Sequence, residues 1–423
     1  MTEPDPHRTI EAVWRIESPR LVARLARMLR DVGLAEDFAQ DALVSALERW
    51  PEAGVPDNPG AWLMATAKNR ALDHLRRGKL LERKHEALGR SLESERESAE
   101  ARLEAALDDD VGDDLLRLVF TACHPVLSPE ARVALTLRML LGLTTGEIAR
   151  AYLVPEATMA QRLVRAKRSL SKARVAFALP SGADRANRLT SVLEVVYLIF
   201  NEGYAATAGS DWTRPRLCAE ALRLGRILVG LTPGEAEVHG LVALMEIQSS
   251  RLAARVGPSG EPILLFDQDR SRWDRLLIRR GLEALATAER LLGAWGPYTF
   301  QAAIAACHAR AATFEETDWT RIARLYDELA RLSPSPVIEL NRGVAHGMAF
   351  GPAAGFAIVD TLAAEPTLAR YHLLPSVRGD LLLKLGRLDE ARADFERAAE
   401  LATNERERTF LRARASGIRG GSL

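Results

Sequence analysis

The stretch from Leu143 to Phe177 constrains the fold of this chain more than any other. Its sequence is LTTGEIARAYLVPEATMAQRLVRAKRSLSKARVAF. Thr145 is predicted to cap a short helix over 146–152, and Pro155 suits the first position of a second helix. In that second helix, apolar residues recur at helical spacing and form one stripe: Met159, Leu163, Ala166, Leu170, Ala173 and Phe177. The pattern therefore predicts two helices joined by a tight turn.

The second predicted helix carries a polar, cationic face beside that stripe. Two helices joined so tightly form a helix-turn-helix, in which the second helix presents side chains to base edges in the DNA major groove. We interpret four of its side chains as base-reading candidates: Thr158, Gln161, Arg162 and Arg165. Four further cations are expected to neutralise phosphates: Lys167, Arg168, Lys172 and Arg174. The alternative is a basic amphipathic helix on the surface of a helical protein.

Length and composition indicate a multidomain, almost wholly helical protein. The chain has 423 residues, of which only 6% are aromatic, and Ala, Leu, Arg and Glu dominate it. We therefore predict an all-α fold of about three domains. The formal net charge is zero, but cations are concentrated in 156–174 and acids in 79–111. A charge distribution localised in this way is typical of a specific DNA contact rather than a general one.

The cysteines and histidines predict neither a disulfide framework nor a metal site. Cys123, Cys218 and Cys307 are odd in number and far apart, and the eight histidines are scattered. No apolar run has membrane-spanning length, and the N-terminus lacks the blocks of a signal peptide. We expect a soluble, cytoplasmic protein without a metal or cofactor and without a membrane partner.

The first block of the chain, from Arg8 to Arg77, predicts three or four helices. Ser18 with Pro19 is expected to open one that ends at Leu29, and Gly33 with Leu34 to break the chain after it. The next helix, over 35–50, has a polar outer face: Asp37, Gln40, Asp41 and Glu48. After a loop rich in Pro and Gly, a last helix over 61–77 leaves polar and cationic side chains outside: Lys68, Asn69, Arg70, Asp73, Arg76 and Arg77.

Three segments in order resemble the extracytoplasmic-function group of the bacterial sigma-70 family. They are AEDFAQDALVSALERW, NPGAWLMATAKNRALDHLRR and, after an acidic linker, SPEARVALTLRMLLGLTTGEIARAYLVPEATMAQRLVRAKRSL. The first two resemble region 2 and the third resembles region 4, so the likeness covers about residues 8–178. Its matching positions are Glu36–Asp37, Gln40–Asp41, Trp62–Leu63, Ala67, Asn69, Asp73, Arg76–Arg77, Glu147–Ile148–Ala149, Val154–Pro155–Glu156 and Arg162 with Arg165–Ala166.

The resemblance implies a protein that binds core RNA polymerase, at its clamp and flap, together with promoter DNA, and that is not an enzyme. In the family, region 2 docks on the polymerase clamp, which implies polymerase contacts for Asp37, Gln40, Asp41 and Glu48. Region 2 also opens and holds one strand at the minus-10 element, which implies a second set of DNA contacts: Asp57, Asn58, Trp62, Lys68, Asn69, Arg70, Arg76 and Arg77. Region 4 reads the minus-35 duplex, about two helical turns away, through the base-reading and phosphate candidates.

Region 4 departs from the family pattern at two places, and the acidic linker has two interpretations. Leu153 stands in the helix-turn-helix turn where the family often has glycine, so the turn geometry is uncertain by about a residue. Thr158–Met159 and Gln161 differ from the commoner residues, so no promoter sequence can be transferred. The acidic linker over 79–111 either mimics template nucleic acid inside the polymerase or is a solvated tether.

The C-terminal half exceeds what a sigma factor of this group needs. We predict a helical domain over 185–290 and tetratricopeptide-like repeats over 297–415, following region 2 at 8–78 and region 4 at 112–178. The clearest repeat has small and apolar residues at the expected spacing: Gly379, Leu382, Gly386, Leu388, Ala391, Phe395 and Ala398. Weaker copies surround Gly343 and span 302–332. A regulatory protein that binds these repeats is a further expected partner.

A cluster of acids and arginines around Trp273 has two interpretations. It comprises Asp267, Asp269, Arg270, Arg272, Asp274 and Arg275. A salt-bridge network is favoured over a catalytic cluster because no nucleophile, metal ligands or phosphate loop accompany it. The function hypotheses are therefore a sigma factor with a fused regulatory domain, a helix-turn-helix activator fused to an interaction domain and, on this cluster alone, an enzyme.

Overall fold

The computed structural model describes residues 6–85, 111–205, 213–258, 260–291 and 295–418. Helices form the regular structure of these residues, and Val256 and Pro262 form an isolated β-bridge. The prediction of an all-α fold is confirmed. The chain divides into two compact units, unit 1 over Met1–Val196 and unit 2 over Tyr197–Leu423. The domain limits inferred from sequence remain predictions.

Unit 1 contains two modules that contact each other. Its helices are α1 (Pro6–Leu29), α2 (Val32–Ala53), α3 (Pro59–His85), α4 (Val111–Ala122), α5 (Pro129–Met139), α6 (Thr145–Ala151), α7 (Glu156–Lys172) and the first part of α8 (Gly182–Tyr204). In the first module, α1, α2 and α3 pack against one another, and in the second module α7 packs on α5 and α6. The two modules meet where α4 lies on α1 and where α7 contacts α2.

The first module differs from the sequence prediction at the start of α2. Helix α1 is continuous through Ser18 and Pro19 and does not begin there. The break after it lies at Arg30, whose φ of 55° is left-handed, and at Asp31, whose side chain accepts a hydrogen bond from the Leu34 amide at 3.0 Å. An Asp cap satisfies one of the free amides of a helix start, so α2 begins before Gly33 rather than after it.

Unit 2 continues the helical fold to the end of the described chain. Its helices after α8 are α9 (Pro215–Leu231), α10 (Ala236–Ser249), α11 (Arg275–Arg290), α12 (Pro297–Arg310), α13 (Trp319–Leu332), α14 (Pro336–Phe350), α15 (Pro352–Asp360), α16 (Leu373–Lys384), α17 (Leu388–Leu401) and α18 (Glu405–Gly417). Helix α10 is central, because α9, α11 and α12 all pack on it. Helix α8 ends at Tyr204.

The last part of unit 2 consists of consecutive helix pairs. Helices α13 and α14, α14 and α15, and α16 and α17 pack against each other in turn. A Cβ atom at Gly379 would lie 3.2 Å from the carbonyl oxygen of Ala391, and Phe395 is fully buried between neighbouring helices. Small residues therefore permit the close helix contact that the sequence pattern predicts; assignment to the tetratricopeptide class stays a prediction.

The cluster around Trp273 does not form the predicted salt-bridge network among the described residues. Asp269 and Asp274 instead cap helical turns by accepting backbone amides, at 2.9 Å from Ser271 and 2.8 Å from Leu276. Arg270 donates to the carbonyls of residues 308 and 311, both at 2.8 Å, and to the hydroxyl of residue 317. These bonds hold loops to helix ends, so the cluster has a structural role. It performs this role through hydrogen bonds to the backbone and not through ion pairs.

Candidate nucleic-acid interface

The helix-turn-helix is formed by α6 and α7. Helix α6 is capped by Thr144 rather than by Thr145. The Thr144 hydroxyl accepts the Glu147 amide at 3.1 Å and the Glu147 carboxylate accepts the Thr144 amide at 2.9 Å, which is a capping box. In the turn, Leu153 adopts a left-handed φ of 51°. The turn therefore has the backbone conformation that favours glycine, although leucine occupies it.

The buried stripe of α7 agrees with the sequence pattern except at its end. Met159, Leu163, Ala166 and Leu170 are buried. The helix ends at Lys172, so the predicted continuation to Phe177 is wrong. The opposite face of α7 is left to solvent, as a helix that enters a DNA groove requires.

The base-reading candidates all line one groove. Thr158, Gln161 and Arg165 are exposed and Arg162 is half-buried. Together with the start of α5 they surround a groove of about 400 Å³. Side chains that can bond to base edges are thus gathered on one accessible surface of α7.

The phosphate candidates separate into two groups. Arg168, Lys172 and Arg174 are exposed, although Arg174 lies beyond the end of α7. Lys167 instead contacts the first module: its Nζ atom lies 3.0 Å from Glu36 Oε2 and 2.6 Å from Asp37 Oδ1. Burial by itself lowers the pKa of Lys167, but the charges and hydrogen bonds of the two carboxylates outweigh it and raise the pKa above its usual value.

The candidate polymerase face follows one side of α2. Asp37, Asp41 and Glu48 are exposed and Gln40 is half-buried. Asp41 is bound to a minus-10 candidate, since its Oδ2 atom lies 3.2 Å from Arg70 Nη1. The two predicted surfaces of the first module are therefore in direct contact.

The minus-10 candidates are arranged along α3 and the loop before it. Asn69, Arg70, Asp57 and Asn58 are exposed, and Lys68 is half-buried. The Asn58 side chain accepts the amide of residue 61 at 3.0 Å, so it caps α3. Arg70 also donates to the hydroxyl of residue 45 at 2.8 Å. The exposed amide of Asn69 remains available to a ligand strand.

Trp62 differs from the other minus-10 candidates because it packs against another aromatic ring. Trp62 is half-buried and packs edge-on against Trp50, with 5.3 Å between ring centroids. Trp62 thus takes part in the core of the first module. The side chains of Arg76 and Arg77 lie outside the residues that the structure describes.

Sequence reasoning missed the residues that join the two modules. Glu36 is 5% exposed, and its Oε1 atom accepts a bond from Arg138 Nε at 2.8 Å. Arg15 donates to Glu147 at 2.8 Å. Glu36 lies three residues before buried Ala39 in the helix, so helical spacing alone could have placed it on the inner face; its partners could not be found that way.

Two classes of site are not present in the described part of the chain. No group of three or more His, Cys, Asp or Glu side chains there is arranged to hold a metal ion. None of the described helices combines the length and the apolar character needed to cross a membrane.

Comparison with protein families matches three segments of the chain. Residues 14–80 match sigma-70 region 2, residues 117–170 match sigma-70 region 4, and residues 188–289 match a family of unknown function, DUF6596. The first two segments contain most of the exposed faces described above. The third begins within α8 and ends in α11.

Individual relatives agree with these matches. The uncharacterized protein R00370 of Rhizobium meliloti is 43% identical over 396 residues, which are 93% of this chain and 92% of that protein. The probable ECF RNA polymerase sigma factor SigI of Mycobacterium tuberculosis is 28% identical over 187 residues, 44% of this chain and 61% of SigI. The chain belongs to the sigma-70 family, as a sigma factor of the extracytoplasmic-function group with a long helical C-terminal segment.

Proposed function

We propose that this sigma factor binds core RNA polymerase through the first module and directs initiation at promoters by reading the minus-35 element through α7. The observation that carries the proposal is the convergence of four base-reading candidates on one accessible groove. An Arg or Gln side chain can make paired hydrogen bonds with guanine or adenine in the major groove. The protein supplies binding energy for strand opening, and the polymerase performs the chemistry.

The first module supports polymerase binding and also offers a surface for a single DNA strand. The exposed acids of α2 suit a basic partner surface, and α3 offers Asn69 and Arg70 beside a loop that contains Asp57. A polar groove with cations can track a single strand while flipped bases are held by stacking and hydrogen bonds. An activator that binds only duplex DNA has no use for this second surface.

Run-off transcription tests the proposal directly. Core polymerase with this protein, and no other sigma factor, should initiate on a subset of genomic fragments. The same reaction without the protein should give no specific transcript. If transcripts appear only after addition of another sigma factor, the protein is instead a helix-turn-helix activator.

Matched variants assign the two surfaces. Glu48→Ala should weaken binding to core polymerase, whereas Glu52→Ala, an exposed acid in the same helix, should not. Arg165→Ala should weaken minus-35 duplex binding, whereas Arg412→Ala in α18 should leave it unchanged. If a variant and its control have equal effects on binding, the assignment of that surface is wrong.

We also propose that unit 2 regulates the activity of unit 1. Unit 2 is covalently attached to unit 1, and a sigma factor of this group does not need a C-terminal segment of that size. A truncation at about residue 180 is a poor test. Ser191 donates to the Cys123 carbonyl at 2.8 Å and Arg188 to the Phe120 carbonyl at 2.7 Å, so the start of α8 is part of unit 1. Residues 1–204 should be compared with the full chain in run-off yield and polymerase affinity; identical values would exclude regulation by unit 2.

A further inference from the structure

Two helices of unit 1 end in a backbone conformation that favours glycine, yet an arginine occupies each end. Arg30, directly after α1, has a φ of 55°, and Arg174, two residues after the end of α7, has a φ of 49°. The amides of residues 174 and 175 close α7 by bonds of 3.0 Å and 3.1 Å to the carbonyls of residues 171 and 170. Glycine is the preferred residue in such a helix ending. The backbone therefore gives no reason for arginine at these two positions.

The side chains of both arginines line the same cavity. This cavity has a volume of about 810 Å³, and α1, α2 and the end of α7 form its walls. Arg30 and Arg174 are exposed. Within the described part of the chain, no carboxylate lies close enough to either guanidinium group to form an ion pair. Two unpaired positive charges therefore face one enclosed space.

A third guanidinium group and a helix start add to the positive charge of the cavity. The Nη1 atom of Arg27 lies 3.4 Å from Asp114 Oδ2. Its Nη2 atom is buried and has no hydrogen-bond partner among the described residues. A buried donor without an acceptor is costly. Helix α2 begins at the same wall with Val32 and Gly33, and the start of a helix attracts anions.

The other charged residues of the wall are already engaged. Asp31 is an acid in the lining, and its Oδ1 atom accepts the amide of Leu34 at 3.0 Å. Lys167 also lines the cavity, and its Nζ atom is bound by Glu36 and Asp37. The groups left for an occupant are therefore the three guanidinium groups. Guanidinium groups bind phosphate through paired, charge-assisted hydrogen bonds.

The remaining wall of the cavity is partly apolar. Leu170 is buried there, and Val175 and Phe177 are half-buried. Pockets that hold small molecules have volumes of about 300–1,000 Å³ and combine an apolar lining with a few polar groups. The cavity thus has the size and the lining for a molecule that joins anionic groups to an apolar part.

We propose that this cavity binds a small molecule that carries a chain of phosphates, held by Arg27, Arg30 and Arg174. A nucleoside triphosphate and inorganic polyphosphate share this chemistry. In the first case the apolar wall receives the base. The binding is independent of the proposed function, because it needs neither polymerase nor promoter DNA.

Isothermal titration calorimetry of the full chain tests the site with ATP and with inorganic tripolyphosphate. We expect one bound molecule per chain. Tighter binding of ATP than of tripolyphosphate would identify a nucleotide as the occupant, and equal or weaker binding of ATP would identify the inorganic chain. If neither compound binds at millimolar concentration, the proposal is wrong.

Glycine variants separate ligand binding from stability. Arg30→Gly and Arg174→Gly should each weaken binding of the phosphate compound by about tenfold or more, because each removes a charge-assisted contact. Neither should lower the melting temperature, since glycine suits the left-handed conformation. The matched control is Leu153→Gly, which makes the same change at a φ of 51° outside the cavity lining. Unchanged affinity in Arg30→Gly, or an equal loss in Leu153→Gly, would overturn the proposal.

Duplex DNA distinguishes the cavity from the exposed face of α7. Gln161 lines the base-reading groove and not this cavity, so Gln161→Ala should weaken duplex binding and leave the affinity for ATP and tripolyphosphate unchanged. Arg30→Gly should weaken binding of the phosphate compound more than binding of the duplex. If that affinity depends on Arg174 but not on Arg30, the phosphates lie on α7 alone and the cavity is not the site.

Discussion

Two adjacent carboxylates share Lys167 but should differ greatly in their contribution to stability. The Glu36 side chain is 7% exposed and that of Asp37 is 61% exposed. Removing one member of a buried ion pair costs about 3–5 kcal/mol, because the other charge is left unpaired. An exposed pair contributes only about 0–1 kcal/mol. Glu36→Gln and Asp37→Asn therefore form a matched comparison.

The expected magnitude follows from the partners that remain. After Glu36→Gln, Lys167 keeps Asp37, and Arg138 keeps the Leu143 carbonyl at 3.1 Å. We therefore expect a loss of about 2–3 kcal/mol, below the full value for a buried pair. Asp37→Asn leaves Lys167 with Glu36, so its loss should stay under about 1 kcal/mol.

Native-state hydrogen exchange measures this difference locally. Opening that exposes α2 and α7 governs exchange of their amides, and 2–3 kcal/mol corresponds to about 30- to 150-fold faster exchange. Amides of α18 provide an internal reference. Exchange rates in α2 and α7 that agree within threefold between Glu36→Gln and Asp37→Asn would refute the role of burial at Glu36.

Three other outcomes are expected. Arg165→Ala should relax the sequence preference at one base pair of the minus-35 duplex. Arg168→Ala should weaken binding to all duplexes alike and reduce the slope of log affinity against log salt concentration by about one. Fluorescence anisotropy measures both affinities. Burial, with two arginines nearby, lowers the pKa of His308 from 6.5 to about 3. As pH falls below about 6.5, the imidazole stays neutral in the folded chain while the unfolded chain gains a proton. The stability present above about pH 6.5 is therefore lost as pH falls toward 3. His308→Phe should flatten this dependence of the melting temperature on pH in thermal scans. A Cβ atom at Gly355 would lie 2.6 Å from a backbone oxygen. Gly355→Ala should therefore lower the free energy of unfolding in urea by about 1–3 kcal/mol. Gly230→Ala, where an added Cβ atom meets open space, should raise it by about 0.5–1 kcal/mol.

Local patterns predicted the helix-turn-helix well. The apolar stripe of α7 is a property of consecutive residues, and burial of Met159 and Leu170 followed from helical spacing. The end of the helix was less predictable, because Lys172 and the residues after it carry no strong stop signal. At Leu153 the left-handed φ of 51° occurs where the chain turns from α6 to α7, and no propensity of leucine indicates it.

Contacts between distant segments could not be predicted. Glu36 and Lys167 are 131 positions apart. From the sequence, Lys167 was expected to contact DNA phosphate, and Asp37, its other partner, was expected to contact the polymerase. The Trp273 cluster shows the opposite case: Asp269 and Asp274 precede helical turns, so capping rules could have identified them as caps. Alternating charge favoured ion pairs instead, and that preference was wrong.

The contact between Asp41 and Arg70 has a consequence for genetics. A change at either residue alters its neighbour, since one side chain restrains the other at 3.2 Å. Screens for defective polymerase docking and screens for defective strand melting should therefore recover overlapping alleles here. Only combined substitutions, in which both side chains are exchanged, can attribute a phenotype to one step of initiation.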